Sequence, residues 1–123
     1  MSERRIVLVI DDDEDLRESV CELLEEDGYR AISVSDGRTA LDWLRAGDTK
    51  PQVILLDLMM PGMNGFQFRE EQVKDAEAAT VPVVLTSAHA KLQHETAALG
   101  VAGYLEKPID VQLLLDTVER FCS

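Results

Sequence analysis

Five side chains in this sequence have the types and placement to do chemistry together: the carboxylates of Asp11, Asp12 and Asp57, the hydroxyl of Ser87 and the ammonium of Lys107. Each stands at the end of a short apolar run. Ile6-Val-Leu-Val-Ile10 runs into Asp11-Asp12, Val53-Ile-Leu-Leu56 into Asp57, Val81-Pro-Val-Val-Leu-Thr86 into Ser87, and Ala102-Gly-Tyr-Leu105 into Glu106-Lys107. Runs of this length, rich in β-branched residues and bounded by Gly and Pro, read as buried strands. A single acid that ends a strand is commonplace, because acids are mostly exposed. A carboxylate at the mouth of a buried strand is another matter, since burying it unpaired is expensive. The run Asp11-Asp12-Asp13-Glu14-Asp15 supplies caps and dipole-complementing charges to a following helix. That does not explain why its first acids sit directly on the strand end.

The elements that must position these groups follow from the pattern around them. Leu16, Val20, Leu23 and Leu24 recur at helical spacing, with Cys21 packing at the edge of that face and Asp27-Gly28 as the stop. Ala31–Val34 is a short strand. Asp36-Gly37 opens a second helix through Ala40, Leu41 and Leu44, ended by Gly47, with Trp43 half-buried at its side. The central strand covers about 52–57. After Asn64-Gly65 a third helix runs through Phe66, Val73 and Ala76, with Arg69, Glu70 and Gln72 crowding its apolar stripe. The fourth strand spans 81–86, and a helix using Leu92, Thr96 and Leu99 stops at Gly100. The fifth strand spans 102–105, and the last helix presents Val111, Leu114, Leu115, Val118 and Phe121.

Five strand–helix units in strict alternation imply a parallel sheet with helices on both faces and right-handed crossovers. In such sheets functional groups gather at the carboxyl ends of the strands. The expectation is one α/β domain over residues 1–123, a length sufficient for a real core.

Composition narrows the function classes. With 46% apolar residues the chain is no disordered acidic tail. A net charge of −12, with no Lys/Arg stripe, argues against nucleic acid and favours a cation or basic protein partners. No apolar run is long enough for a signal peptide or a transmembrane helix, so no membrane association and a cytoplasmic location are expected. Cys21 and Cys122 lack metal-ligand spacing and are expected reduced; His89 and His94 lack it too.

Taken in order, Val-Ile-Asp11-Asp12, Leu-Leu-Asp57-Leu-Met-Met-Pro61-Gly-Met-Asn-Gly65, Leu-Thr-Ser87-Ala88 and Gly103-Tyr104-Leu-Glu-Lys107-Pro108 resemble the signature of the receiver domain of two-component response regulators. The resemblance spans about 5–121. It implies a flavodoxin-like doubly wound (βα)5 fold with strand order 2-1-3-4-5, an order that alternation alone leaves open. It implies Asp57 as phosphoacceptor, with Asp11, Asp12, Asp57 and the backbone carbonyl of Met59 holding Mg²⁺. It implies Lys107 as the ammonium facing the phosphoryl group, Ser87 as the switch hydroxyl and Tyr104 as the switch aromatic. Met59 and His89 fall at positions that tune access of water and small donors. A cis Lys107–Pro108 bond is implied as well. The physics is consistent: three carboxylates in one place raise each other's pKa unless a cation joins them, and Mg²⁺ takes hard oxygen ligands and phosphate oxygens. The implied role is a phosphoacceptor switch, not a classical enzyme. The implied donor is a sensor histidine kinase or histidine phosphotransfer protein. A downstream protein or a second copy would dock on the face made by the helix over 91–99, the fifth strand and the last helix, where Leu113 points outward.

Three other functions are compatible with parts of this pattern. Phosphatases of the haloacid dehalogenase type need an acid two residues beyond the nucleophile, where this chain has Met59. A flavin-binding carrier on the same fold needs backbone donors for phosphate after the first strand, where acids 11–15 would repel it. A degenerate receiver acting only as a binding module is disfavoured by the intact acids, hydroxyl and lysine. The chain stops soon after its last helix, which fits either a single-domain regulator or the receiver part of a longer protein.

Overall fold

Every second side chain of a strand points to the same face of its sheet, and here both faces are apolar. The computed structural model describes residues 5–47, 50–76, 78–88 and 99–122. Strands β1 (Ile6–Ile10), β2 (Arg30–Val34), β3 (Val53–Asp57), β4 (Val83–Ser87) and β5 (Gly103–Glu106) form one parallel sheet in the order β2-β1-β3-β4-β5. Among the described residues the helices are α1 (Glu14–Glu26), α2 (Gly37–Ala46), α3 (Gly65–Lys74) and α4 (Val111–Cys122), with a 3-10 turn at Ala78–Thr80. This is the flavodoxin-like doubly wound order implied by the resemblance.

Leu8, Ile10, Ile54, Leu56 and Leu85 join Leu41 and Leu44 of α2 and Phe68 of α3 in one buried cluster. Val7, Val9, Val53, Leu55 and Val84 join Val20 and Leu24 of α1 and Leu114 and Val118 of α4 in the other. The sheet is therefore covered on both faces, which is why β1, Val53–Leu56 of β3 and Val83–Leu85 of β4 are continuous apolar runs rather than alternating ones.

Local chemistry sets the helix ends. Asp13 caps α1 by accepting the Leu16 N–H at 3.1 Å, and Asp36 caps α2 by accepting the Thr39 N–H at 2.7 Å. Asn64 and Gln67 exchange two 2.9 Å hydrogen bonds at the start of α3, a reciprocal capping box. Gly47 ends α2 in the left-handed region, φ 73°, where a side chain would be strained.

Several expected faces were off. Helix α3 stops at Lys74, short of Ala76, and Val73 is half exposed while Gln72 is fully buried. The reason is polar: Gln72 Nε2 donates to the carbonyls of Ala78 (2.8 Å) and Val81 (3.2 Å), and its Oε1 accepts from Arg69 Nη1 (2.8 Å). Arg69 in turn donates to the carbonyls of Leu99 (2.8 Å) and Gly100 (3.2 Å). The residues that crowd the apolar stripe thus tie α3 to the segments entering β4 and β5. On α4, Val111 is exposed and Thr117 is buried in its place. Trp43 is half-buried, Leu113 is exposed and both cysteines are free. The helix expected through Leu92 and Thr96, together with His89 and His94, lies outside the described residues.

Gln72→Leu is expected to destabilise the protein by on the order of 2 kcal/mol, because the Val81 carbonyl loses the Gln72 donor, the Ala78 carbonyl keeps only the Val81 N–H, and part of the Arg69 guanidinium loses its acceptor. Urea unfolding with an unchanged m value measures it. A variant within ~0.5 kcal/mol of the parent, the range of ordinary surface changes, would show that the network contributes little.

Candidate functional site

The strand order and register bring the acids together. β1 lies between β2 and β3, so the chain changes direction across the sheet between β1 and β3. Ile10 is opposite Leu56 in the register, which sets Asp11 and Asp57 side by side at the carboxyl ends of neighbouring strands. Across β3 and β4, Asp57 is opposite Thr86, and across β4 and β5, Ser87 is opposite Glu106. Lys107 is therefore the first residue beyond β5, and its N–H donates to the Ser87 carbonyl at 2.8 Å. The Lys107–Pro108 peptide is cis, as expected.

From there the lysine side chain reaches back over the strand ends. Its Nζ stands 2.9 Å from Asp11 Oδ2 and 3.4 Å from Asp57 Oδ1. Asp11 Oδ1 accepts the Asp13 N–H at 2.9 Å, and Asp57 Oδ1 accepts the Met59 N–H at 3.2 Å. Asp11 and Asp57 are buried and Asp12 is exposed. Carboxylate oxygens of Asp11, Asp12 and Asp57 all lie within 4.8 Å of one another. These are hard donors at a spacing suited to a small divalent cation such as Mg²⁺, which takes oxygen ligands at about 2.0–2.1 Å.

One ammonium does not balance three carboxylates. Burial above all, and then the charge of Asp11, push the Asp57 carboxyl up to about 6, against the opposing pull of Lys107 and the Met59 N–H. Lys107 is pulled down by its own burial, but the hydrogen bond to Asp11 and the charges of Asp57 and Asp11 reverse this and hold it above the usual lysine range. The site without a cation is therefore under electrostatic stress, and added positive charge relieves it.

The loop after β3 is seated by Gly65. Its N–H donates to the Leu58 carbonyl at 2.8 Å, and an added Cβ would stand 2.8 Å from Leu58 Cα and 3.2 Å from the Asp57 carbonyl oxygen. Only glycine lets α3 begin this close to the strand end that carries Asp57.

The other expected residues are placed as follows. Ser87 is buried at the end of β4. Tyr104 is half-buried in β5, opposite Leu85, and packs against the cluster on the α2–α3 side. The Met59 side chain is 52% exposed beside the acids, so it stands at the mouth of the site rather than within it. His89 lies outside the described residues. Two contributors escaped the sequence reading, Gly65 as a seat for α3 and Arg17. Arg17 Nη1 donates to the main-chain carbonyl of Asp11 at 2.7 Å; its only signal was a cation one turn into a helix that starts in acids.

The chain is similar to known proteins over most of its length. The family model described as response regulator receiver domain matches residues 7–119. Protein PilH of Pseudomonas aeruginosa is 32% identical over 117 residues, an alignment covering 91% of this chain and 93% of PilH. The phosphate regulon transcriptional regulatory protein PhoB of Escherichia coli is 30% identical over 117 residues; 94% of this chain aligns with 50% of PhoB, so the chain spans about half of that relative. Among solved structures, chemotaxis protein CheY4 of Vibrio cholerae superposes with a TM-score of 0.85 at 30% identity, covering 97% of this chain and 99% of CheY4.

Proposed function

This chain belongs to the response regulator receiver domain family, and from that premise we propose that it is a phosphoacceptor switch in which Asp57 takes a phosphoryl group. Receiver domains are signalling switches, not classical enzymes, and they receive phosphoryl groups from kinases or phosphotransfer proteins. The observation that carries the assignment to Asp57 is the pairing of Lys107 Nζ with both Asp11 and Asp57 beside the three-carboxylate cluster.

In this reading an Asp57 oxygen attacks the phosphorus of a phosphohistidine. The O–P bond forms as the N–P bond breaks, and the imidazole leaves with its electron pair. Asp11, Asp12, Asp57 and the Met59 carbonyl would hold Mg²⁺, which when bound would supply positive charge against the acids and the incoming phosphoryl group. Lys107 faces the transferring oxygens as a fixed positive charge. Family membership sets aside the phosphatase and flavin-carrier readings. Incubation with Mg²⁺ and a phosphohistidine donor or a small acyl phosphate should produce a hydroxylamine-labile label on Asp57 that a chelator prevents. A folded protein that takes no label under these conditions would be a binding module instead.

The same reading gives Met59 and His89 a role in lifetime. Met59 is exposed, and its N–H donates to Asp57 Oδ1; if its side chain shields the phosphoryl group, Met59→Asn is expected to shorten the phosphoryl lifetime by roughly three- to tenfold, the effect of ~1 kcal/mol on the barrier. His89→Ala is the companion test, and lifetimes equal to the parent for both would remove these positions from the tuning of the site.

Output follows from Ser87 and Tyr104. Phosphorylation adds roughly two negative charges and strong acceptors; Ser87 moves to bond a phosphoryl oxygen, and Tyr104 swings into the space vacated. The shift is one of population. The responding face includes β5 and α4, with Leu113 exposed on α4, and it takes a basic protein or a second copy of the chain; the helix expected over 91–99 lies largely outside the described residues. NMR with a phosphoryl mimic at Asp57 should move the Ser87 and Tyr104 amides and residues 91–99. Changes confined to the immediate surroundings of Asp57 would refute this route. The whole of 1–123 is taken as a single receiver unit acting in the cytoplasm. Among the described residues, no helix is long and apolar enough to cross a membrane.

A further inference from the structure

We propose that Arg17 is a positioning residue that sets the cation affinity of the acid cluster by holding the turn between β1 and α1. The inference rests on the reading that Asp11, Asp12 and Asp57 take a divalent cation. Asp11 and Asp57 are buried, so the packed ends of β1 and β3 hold them in place. Asp12 is exposed, and its position depends on the turn that carries it. Three bonds in that turn involve acidic residues alone as acceptors of main-chain N–H groups: Asp13 N–H to Asp11 Oδ1 (2.9 Å), Leu16 N–H to Asp13 Oδ1 (3.1 Å) and Arg17 N–H to the Asp13 carbonyl (3.0 Å). The fourth comes from the Arg17 side chain, whose Nη1 donates to the Asp11 carbonyl at 2.7 Å.

That carbonyl belongs to the peptide joining Asp11 to Asp12, so the guanidinium fixes the plane from which the Asp12 side chain departs. It reaches there because Arg17 lies one turn into α1, on the side facing the strand end, and is half-buried. A charge-assisted donor at this distance is among the stronger hydrogen bonds. The rigid fork of Arg makes it a better strut than a flexible ammonium.

Arg17 is also a cation beside a cation site, so its charge and its hydrogen bond have opposite effects on Mg²⁺. Acting only through its charge, Arg17 would repel Mg²⁺, and its removal would tighten binding. Acting as a strut, its removal weakens binding. Titration calorimetry of Mg²⁺ into the protein, with amide NMR of Asp12 and Asp13, separates the two. Arg17→Met and Arg17→Gln are both compatible with a helix and provide two chances of a folded variant. Both are expected to weaken Mg²⁺ binding at least fivefold and to shift or broaden the Asp12 and Asp13 amides, and Arg17→Lys, which keeps a cationic donor on a more flexible stem, is expected to recover only part of the affinity. Unchanged or tighter binding in the folded neutral variants would overturn the proposal. A parent protein that does not bind Mg²⁺ would instead overturn the reading on which the proposal rests.

Discussion

Asp57→Asn is expected to abolish phosphoryl uptake and, in the absence of a divalent cation, to make the protein more stable at neutral pH. The first effect follows from removing the nucleophile; the amide offers no oxygen that can form a stable acyl phosphate. The second follows from the site's electrostatics. The folded state holds the Asp57 carboxyl at about 6, against an unperturbed 3.8, so between these values the folded state binds more protons than the unfolded state. Stability contributed by this group is therefore lost as pH rises through that window, and the loss is complete above it. Asparagine carries no charge to bury beside Asp11. In chelator at pH 7.5 the variant should exceed the parent by on the order of 2 kcal/mol, and near pH 4 the difference should largely vanish. Urea unfolding at the two pH values measures it. Added Mg²⁺ should narrow the gap by stabilising the parent more than the variant. A variant less stable than the parent at pH 7.5 in chelator would mean that the Asp57 charge is a net asset, through Lys107, and that the cluster is not under stress.

Lys107→Ala is expected to slow phosphorylation of Asp57 by about 100-fold or more, the loss typical of removing one preorganised donor from a developing charge. The label should still go to Asp57, because the nucleophile and the acids remain. Mg²⁺ binding should tighten at the same time, since the only ammonium in contact with Asp11 and Asp57 among the described residues is gone. Rate and affinity moving in opposite directions is the diagnostic result. Rapid-quench phosphorylation and Mg²⁺ titration of the same preparation provide both numbers. A variant phosphorylated at the parental rate would show that Lys107 serves only to neutralise the acids. Lys107 and Arg17 are thus two cations at one site with opposite expected effects on Mg²⁺. One points its charge into the cluster and the other spends its hydrogen bond on the main chain behind it.

The strand ends were legible because burial leaves a plain mark on sequence. β1, β3 and β4 are covered on both faces, so β1 and the first four residues of β3 are unbroken apolar runs and β4 starts as one, and a charge at the end of such a run stands out. Asp11 and Asp57 could be picked on that ground; Ser87 and Lys107 were marked only as polar groups at the ends of their apolar runs. The caps at Asp13 and Asp36 were legible for a similar reason, since they act within three residues along the chain. Periodicity misled on α3, where it favoured Val73 over Gln72. A hydrophobicity pattern assigns glutamine to the surface, and it has no means of registering two carbonyls near the start of β4 that need a donor.

By itself, then, the sequence determined the alternation of strands and helices, the apolar faces of most of them, and the polar groups at the strand ends. These depend on each residue's own solvation and on neighbours close along the chain. Only the tertiary structure decided that Ile10 faces Leu56, so that Asp11 and Asp57 are adjacent. It alone placed an ammonium 96 residues away within 2.9 Å of Asp11. It alone gave Arg17, Gly65 and Gln72 their tasks. Each of these three meets a main-chain atom, and the backbone is chemically the same at every residue, so no side-chain pattern could have announced which carbonyl or Cα would be waiting there.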